Sequence, residues 1–428
     1  MHFISLSDSS HSASLEETLQ RGLPPDGSLY YPESIPLLST EALESLKDAD
    51  EQSVAHTILS PWTEGEIPDN DLHTIIKNAS TFATPTIKVS NKYVLELSHG
   101  PTMAFKDVAA RYLAGLMGYF NQKRGGTSTV LVATSGDTGG AIAHGFANVA
   151  GTSVIVLFPK GRVSDLQRMQ LTRTAPNVTS LEVDGSFDDC QSLVKQAFLD
   201  QSLSGLNLTS ANSISIGRLL PQMIYYAYTY GQLNRDNLRF VVPTGNLGNL
   251  SAGALCRAMG VPIHSFLAAS NNNDAVTRYI NNADDSFVET KQTLATAMDV
   301  GLPNNLPRLK KIFDNDIDKL RKTVTASSIT DQEIVDAIKK VYADTGYLLD
   351  PHTAVGWAAS IKNPAHGLTD VIIATAAPEK FAKEIQNATG ITVDNSASLK
   401  ALQNLPEKVS SIDSSYESFQ KYLIGQSS

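Results

Sequence analysis

The sequence predicts an α/β protein with parallel sheets that are covered by helices on both faces. Three observations point to this fold class. Continuous apolar runs of strand length alternate with longer helical stretches from about residue 93 onward. Two glycine-rich turns each lead from an apolar run into a helix of small residues. The length of 428 residues is sufficient for two or three domains with sizeable cores.

The elements follow in chain order. The segment before residue 90 has mixed helical patterning, interrupted by Pro24-Pro25-Asp26-Gly27 and by Pro61. Strands are predicted over 93–97, 129–134, 153–158, 180–183, 239–242, 263–268 and 371–374. Helices are predicted over 106–122, 187–199, 219–231, 331–345 and 353–361.

This alternation predicts two linked three-layer α/β units with a site in the crevice at the carboxyl ends of their strands. We predict a mixed helical N-terminal domain over residues 1–90 and α/β units over 91–225 and 226–428. The last unit ends in a polar tail after about Asn395, predicted to be helical or irregular.

The composition excludes several classes of protein. The net charge of −10 is spread along the chain without a basic run, so nucleic acid and membrane partners are not expected. No apolar segment reaches the length of a membrane span, and the first residues lack the pattern of a secretory signal, which predicts a cytoplasmic protein. We expect Cys190 and Cys256 to be free buried thiols, and we expect no metal site.

Lys106 ends a turn shaped by Gly100 and Pro101, directly after Met103-Ala104-Phe105. Lysines usually lie on exposed, solvated surfaces, and that is the simpler interpretation. However, apolar neighbours can desolvate the amine, which lowers its pKa and frees its lone pair. A lysine that forms a Schiff base needs this property.

The two glycine-rich turns span residues 134–140 and 244–249. Each can be a plain strand-to-helix connection, but a helix N-terminus also offers backbone N–H groups to an anion. Neither turn is a P-loop or a dinucleotide-binding fingerprint, since the chain lacks both GxxxxGK[ST] and GxGxxG. A phosphate-bearing cofactor that reacts with an amine suits a dry lysine and two such turns, which points to pyridoxal phosphate.

Several motifs occur in the order in which they occur in one enzyme family. They lie at 22–32, 99–107 (HGPTMAFKD), 133–141 (ATSGDTGGA), 210–218 (SANSISIGR), 296–308 (TAMDVGLPNNLPR) and 350–355. On these residues the chain resembles the threonine synthases, and within them the longer subgroup of fungi and many bacteria. The resemblance implies a fold-type-II pyridoxal phosphate enzyme, similar in fold to the β subunit of tryptophan synthase, and either a monomer or a homodimer.

The resemblance also implies a reaction, in which O-phospho-L-homoserine and water become L-threonine and phosphate by γ-elimination and β-addition. Lys106 is then the residue that forms the internal aldimine and moves the α-proton. The residues implied to bind the cofactor are Gly245, Asn246, Leu247, Asn249 and Thr375. Those implied to bind the substrate are Ser135, Gly136, Asp137, Thr138 and Gly139 around its carboxylate, and Asn212, Ser213 and Arg218 on its phosphate.

Asp137 carries a specific expectation, and Ala377 departs from the family pattern. An anionic Asp137 facing the phenolic oxygen of the cofactor would repel it, so we expect this side chain to be turned aside or to share a proton. Ala377 stands where the family often has a histidine.

Two other functions use similar machinery. A threonine or serine dehydratase would not need Asn212, Ser213 and Arg218 for a substrate phosphate. A relative that has lost catalysis and only binds small molecules would have no need of the Schiff-base lysine at position 106. On the residues alone, Arg218 would be interpreted as a surface or packing arginine.

Overall fold

The computed structural model describes residues 1–287, 289–394, 402 and 404–425 of the chain. Its strands are β1 (His2–Ser5), β2 (Ser12–Ser14), β3 (Tyr30–Pro32), β4 (Thr86–Val89), β5 (Lys92–Glu96), β6 (Ser128–Ala133), β7 (Thr152–Pro159), β8 (Val178–Asp184), β9 (Leu208–Ser210), β10 (Leu238–Pro243), β11 (Ser265–Ser270), β12 (Val324–Ser328), β13 (Thr369–Ala374) and β14 (Ser410–Asp413).

The α-helices are α1 (Leu15–Arg21), α2 (Thr40–Ser45), α3 (Glu51–Thr63), α4 (Asp69–Ala79), α5 (Lys106–Arg124), α6 (Asp137–Gly145), α7 (Asp165–Thr172), α8 (Phe187–Leu199), α9 (Ile216–Leu219), α10 (Met223–Leu233), α11 (Gly248–Ala258), α12 (Ala275–Asn282), α13 (Leu306–Ile312), α14 (Ile317–Thr323), α15 (Asp331–Thr345), α16 (Pro351–Lys362), α17 (Ala382–Thr389) and α18 (Tyr416–Gly425). Short 3₁₀ helices occur at Gln201–Leu206, Leu220–Gln222, Thr296–Met298 and Pro378–Phe381. No helix in the described part of the chain combines the length and the apolar character needed to cross a bilayer.

The strands form three sheets. The first three strands make a small antiparallel sheet in the order β2-β1-β3. A six-stranded sheet has the order β12-β11-β10-β13-β5-β4, and only its edge strand β4 is antiparallel to its neighbour. A five-stranded parallel sheet has the order β14-β8-β7-β6-β9. The predicted α/β class with parallel sheets is confirmed.

Side chains on the two faces of the six-stranded sheet enter different cores, because successive residues of a strand point to opposite faces. Val94, Ile372, Val241 and Leu267 lie in register on four neighbouring strands and pack with residues of α15 and α16. Their chain neighbours, such as Phe240, belong to the main core on the other face. The sheet is therefore the middle layer of a three-layer unit.

The five-stranded sheet is built in the same way. One face, which includes Leu131 and Leu157, packs against Leu193 of α8 and Phe419 of α18. The other face, which includes Val130 and Val156, joins the main core with α5 and α6. The buried helix α5 thus contributes to the core beneath both large sheets.

The two large sheets do not correspond to two continuous segments of the chain. The six-stranded sheet takes β4 from before residue 90, β5 from between residues 91 and 225, and its other strands from after residue 226. Strand β14, near the C-terminus, pairs with β8 in the five-stranded sheet. The division at residues 90 and 225 stays a proposal, and part of the predicted tail after Asn395 lies outside the described residues.

The sheet order brings distant loops together. The adjacent strands β10, β13 and β5 end just before the second glycine-rich turn, Thr375 and the loop that leads to Lys106. In the other sheet, the adjacent strands β6 and β9 end before the first glycine-rich turn and the segment 211–218. All five loops leave carboxyl ends of parallel strands, where α/β proteins place their ligand sites.

Candidate active site

Lys106 is the first residue of α5, and its approach loop is folded back onto that helix. The Asp107 carboxylate accepts hydrogen bonds from the backbone N–H of Thr102 at 2.8 Å and from the Thr102 hydroxyl at 2.5 Å. A Cβ atom at Gly100 would lie 2.5 Å from the Asp107 carboxylate oxygen, which explains the glycine there. Asp107, which directly follows Lys106, therefore fixes the conformation of the turn that precedes Lys106.

Backbone hydrogen bonds join this loop to the segment after β13. The Phe105 N–H donates to the Thr375 carbonyl at 2.8 Å, and the Ala377 N–H donates to the Met103 carbonyl at 3.1 Å. Thr375 itself is buried. The lysine and the threonine predicted to lie at the cofactor ring are thus neighbours in space.

The Lys106 amine lies in a low-dielectric environment. Burial lowers its pKa, and the positive charges of Lys380 and Arg218 lower it further. The Asp137 carboxylate, whose Oδ2 lies 3.5 Å from Lys106 Nζ, opposes these effects without reversing them. The net effect is a lowered pKa for the Lys106 amine, the direction that its apolar neighbours predict.

Asp137, the first residue of α6, is held by other groups. Its Oδ1 lies 2.9 Å from Lys380 Nζ and accepts a hydrogen bond of 3.0 Å from Gln167 Nε2. Burial alone would raise the pKa of Asp137, but the charges of Lys380 and Lys106 outweigh burial and hold it well below its usual range. Of the two expected arrangements, the structure has the carboxylate ionised and engaged to one side by Lys380.

The loop 135–139 is organised by the preceding threonine. The Thr134 hydroxyl accepts hydrogen bonds from the N–H groups of Gly136 and Gly139, both at 2.9 Å. Ser135 is exposed and Thr138 is half-buried, so both side chains have access to space outside the core. The sequence analysis did not assign Thr134 a role, although it stands at the end of a strand in a specific motif.

The turn 244–249 leads into the N-terminus of α11. Leu247 adopts the left-handed conformation with φ 62°, and a Cβ at Gly245 would lie 3.0 Å from the Met298 backbone. Asn249 is buried, and its amide oxygen accepts a bond of 2.5 Å from the Tyr226 hydroxyl. The amide nitrogen of Asn249 has no hydrogen-bond partner among the described residues.

These features fit a phosphate group. A buried amide donor without a partner, beside a tight backbone turn at a helix N-terminus, is the environment that a phosphate needs. The partly buried Lys106 and the buried Thr375 lie beside each other, and with this turn they form a set of residues that would suit pyridoxal phosphate.

The predicted substrate-phosphate segment contacts this turn directly. Ser213 Oγ accepts a hydrogen bond of 3.3 Å from Asn246 Nδ2. Asn305 Nδ2 donates to the carbonyls of Asn246 at 3.1 Å and Ser213 at 3.3 Å. Asn212 lies half-buried at the start of the same segment. The two predicted phosphate sites therefore share a boundary.

Arg218, on α9, is a buried cation with 4% of its surface exposed. Its Nη1 donates to the Ala211 carbonyl at 2.8 Å, whereas its Nε has no partner among the described residues. Burial lowers the pKa of Arg218 to about 10, which leaves it cationic at neutral pH. None of the described carboxylates forms an ion pair with it, so its charge is available to an anion.

Arg308 is a second buried cation that the sequence analysis did not assign. Its guanidinium donates to the Tyr30 carbonyl at 2.9 Å, to Asn305 Oδ1 at 2.9 Å and to the Ile214 carbonyl at 2.6 Å. Burial lowers the pKa of Arg308 to about 9. In the sequence, only the position of Arg308 in the motif at 296–308 indicated that it is important. Its role as a link between segments follows from its contacts in the structure.

His352 also connects separate segments. Its Nδ1 lies 2.9 Å from Asp350 Oδ1, and its Nε2 lies 3.1 Å from the Ala297 N–H. These partners fix the neutral tautomer with the proton on Nδ1, because Nε2 must accept. The imidazole thereby holds the segment whose backbone at Met298 limits the size of residue 245.

One group of potential metal ligands occurs among the described residues: His56, Asp69 and His73, on α3 and α4. The two imidazole rings are stacked with centroids 4.1 Å apart and planes 3° apart. Because imidazole binds metals in the plane of its ring, rings stacked in this way do not converge on one ion. We assign no metal to this group.

A cavity of about 520 Å³ opens beside the ends of β5 and β13. Its lining includes Glu96, Met103 and Ala377, the residue at the position where the family often has histidine. The described lining does not include Lys106, Asn246 or Arg218. The open cavity is thus adjacent to the predicted chemical site, with Met103 and Ala377 between the two.

Comparison with known proteins gives one consistent family. Residues 81–373 match the family model of pyridoxal-phosphate dependent enzymes, residues 2–80 match that of the threonine synthase N terminus, and residues 353–423 match that of the threonine synthase C-terminal region. Threonine synthase of Buchnera aphidicola subsp. Baizongia pistaciae is 37% identical over 432 residues, which cover 99% of this chain and 100% of the relative.

Solved structures agree. The structure of PLP-bound threonine synthase from Brucella melitensis is 33% identical, has a TM-score of 0.95, and is matched over 100% of this chain and 99% of its own. Threonine synthase from yeast is 32% identical with a TM-score of 0.91, over 99% of this chain and 98% of its own. The fold-type-II architecture and the pyridoxal phosphate cofactor predicted from the motifs are confirmed.

Proposed function

The chain belongs to the threonine synthases, which are pyridoxal-phosphate-dependent lyases, and from this premise we propose that its substrate is O-phospho-L-homoserine. The products are L-threonine and inorganic phosphate. The net reaction breaks the bond between the γ-carbon and the phosphate oxygen and forms a bond between the β-carbon and a water oxygen. The observation that carries this proposal is Arg218, a buried guanidinium that forms no ion pair with the described carboxylates and lies in the segment that contacts the cofactor-phosphate turn.

We assign the binding of the two phosphates to the two adjoining turns. Gly245, Asn246, Leu247 and Asn249 hold the cofactor phosphate at the N-terminus of α11, where backbone N–H groups and the helix dipole favour an anion. Asn212, Ser213 and Arg218 hold the substrate phosphate, since a rigid cationic fork and neutral donors suit a dianion. Thr375 would supply a neutral hydroxyl partner for the ring nitrogen of the cofactor.

We assign the remaining roles to the loop 135–139 and to Lys106. Ser135, Gly136, Asp137, Thr138 and Gly139 orient the substrate carboxylate, with the loop held in shape by the Thr134 hydroxyl. When bound, pyridoxal phosphate supplies an electron sink for the electrons left by proton removal. Lys106 carries the proton at the α-carbon, and a pKa below the usual lysine range is the direction of shift that a lysine acting as a base requires.

The phosphate leaves as a charged group from a site with little water. Arg218 stabilises the negative charge that develops on the departing oxygen, and this stabilisation is greatest where solvent is excluded. We propose that one α/β unit closes over the other when the substrate binds and keeps water out until the β-carbon is ready to receive it.

Cellular context belongs to the proposal as well. We propose a cytoplasmic enzyme, a monomer or homodimer, that acts on small molecules and has no nucleic acid or membrane partner. The buried thiols of Cys190 and Cys256 suit a reducing compartment, and the dispersed net charge of −10 suits a protein without polyanionic partners. Light scattering coupled to size exclusion separates monomer from dimer. Limited proteolysis near residues 90 and 225 tests the proposed domain division.

The decisive experiment supplies O-phospho-L-homoserine to the cofactor-loaded protein and measures L-threonine and phosphate. We expect equal amounts of both products, and none from the Lys106→Ala variant. Production of a 2-oxo acid and ammonia from threonine or serine, without threonine formation, would identify a dehydratase. An enzyme that holds its cofactor and releases neither set of products would contradict the proposal.

A further inference from the structure

We propose that Lys380 is a positioning residue that neutralises Asp137 and keeps its carboxylate from forming a close ion pair with Lys106. The proposal rests on the assignment of Lys106 as the lysine that reacts with the cofactor. It does not depend on the identity of the substrate.

The contacts of Lys380 are specific and fully enclosed. Its side chain is 1% exposed, and its Nζ lies 2.9 Å from Asp137 Oδ1 and donates to the Thr102 carbonyl at 2.9 Å. Lys380 belongs to the 3₁₀ helix that follows β13, whereas Asp137 begins α6 after β6. The ion pair therefore joins loops of the two large sheets directly over the site.

Asp137 lies between two amines but is closer to one of them. Lys380 lies 2.9 Å from one carboxylate oxygen, and Lys106 lies 3.5 Å from the other. Gln167 Nε2 donates to the oxygen that Lys380 contacts, at 3.0 Å, which holds the carboxylate in this orientation. The shorter contact and the additional donor both lie on the side away from Lys106.

The charges of this group balance only when Lys380 is present. With a neutral Lys106, the negative Asp137 and the positive Lys380 sum to zero. Two other buried ionisable groups act on this cluster: Arg218 on Lys106, and Asp107 on both Lys380 and Arg218. Without Lys380, a buried carboxylate would lack its closest counter-ion, and Lys106 would be the nearest remaining amine. An ion pair with Asp137 would then favour the protonated form of the nitrogen at Lys106 and would raise its pKa. For the free amine, the protonated form is the wrong one for a nucleophile or a base.

The test uses the cofactor-loaded enzyme without substrate and follows the visible absorbance of the bound cofactor against pH. This band changes when the nitrogen that links Lys106 to the cofactor gains or loses a proton. Lys380→Met keeps the length of the side chain and removes its charge, so we expect the transition to move to higher pH. The double variant Lys380→Met/Asp137→Asn removes both charges, and its transition should return towards that of the wild type.

A matched control lies three residues further along. Lys383 is exposed and pairs with the exposed Asp165 at 3.2 Å, so Lys383→Met should leave the transition unchanged. If the substrate is turned over, Lys380→Met should also lower kcat, by up to about 100-fold, which is the loss that a displacement of about 1 Å at the reacting groups causes. If the enzyme makes no threonine, the proposed function is wrong, but the inference about Lys380 is still decided by the absorbance titration.

Two results would overturn the inference: equal transitions in Lys380→Met and the wild type, or a double variant that titrates like Lys380→Met. If Lys380→Met alone does not fold, the double variant decides, because removal of both partners of a buried ion pair is often tolerated. A folded double variant with a wild-type transition supports charge compensation. A double variant that does not fold, or that folds with a displaced transition, assigns Lys380 a purely structural role.

Discussion

Arg218→Met gives the sharpest test of the substrate-phosphate site. Methionine occupies similar buried space without the positive charge or the hydrogen-bond donors. In the structure, one donor of Arg218 is used by the Ala211 carbonyl at 2.8 Å, and the Nε has no partner among the described residues. The guanidinium can therefore present two donors to a phosphate in the bidentate arrangement that arginine favours.

The size of the effect follows from those two bonds. A hydrogen bond to a charged group contributes about 1.5–3 kcal/mol, so two of them contribute about 3–6 kcal/mol. If both are made in the transition state, kcat/KM for the phosphorylated substrate should fall by about 10²- to 10⁴-fold. Arg218→Lys retains the charge without the planar fork and should recover part of this loss.

The assay measures phosphate release under steady-state conditions, with inorganic phosphate as a competing ligand. The inhibition constant for phosphate should rise in Arg218→Met in parallel with the loss of kcat/KM. Arg235→Met, a change at an exposed arginine, serves as the control for general effects of removing a positive charge. A folded Arg218→Met variant with unchanged kcat/KM and unchanged phosphate inhibition would refute the phosphate assignment.

Three further predictions concern groups around the site. Because burial and neighbouring cations lower the pKa of the Lys106 amine, kcat should persist well below the pH at which an exposed lysine becomes protonated. The kcat profile is the relevant one, since it reports the substrate complex, in which Lys106 would be a free amine; an acid limb of that profile in the ordinary lysine range would contradict the prediction. Thr134→Val removes the acceptor of two backbone N–H groups and should lower the free energy of unfolding by about 1–3 kcal/mol in denaturant titration. Unchanged stability would show that the loop has other partners. Arg308→Met leaves three acceptors without their donor and should lower the free energy of unfolding by about 3 kcal/mol or more, at about 1–3 kcal/mol for each unsatisfied acceptor. An unaltered Tm would contradict a linking role for Arg308.

Some elements could be predicted closely because their end signals are local. Helices α8 and α15 have the predicted bounds, and both begin at a capping box, formed by Ser186 with Asp189 and by Thr330 with Glu333. The helix predicted over 219–231 instead begins at Met223, after a 3₁₀ turn that contains Pro221. Proline lacks the N–H that a continuous α-helix requires there.

Other elements carry no such signal. Strand β14, at Ser410–Asp413, is mostly polar and exposed, so periodicity does not distinguish it from a loop. Its pairing with β8 depends on the position of a sheet edge, which is a property of the whole fold. The short strands β1 to β3 were missed in a segment that periodicity describes as mixed helical.

Some features of the candidate site could likewise be predicted from the sequence, and others could not. Lys106 and the two glycine-rich turns could be proposed as site residues from the sequence because each motif is contiguous. The partners of Asp137 and the contacts of Arg308 were not, because they join residues from different sheets and segments. Family motifs indicated that these residues belong to a pattern, but only the geometry shows what they touch.

The position of β13 affects how the enzyme is made. This strand lies between β5 and β10 in the sheet, although it is synthesised long after both. Until Ala374 has left the ribosome, the strand before Lys106 can pair only with β4, and the strand before the cofactor-phosphate turn only with β11. The nascent chain therefore carries the proposed reactive amine and the proposed phosphate-binding turn on two separate half-sheets. If both hold the cofactor, its full binding site forms only after β13 has been synthesised and has joined the two half-sheets.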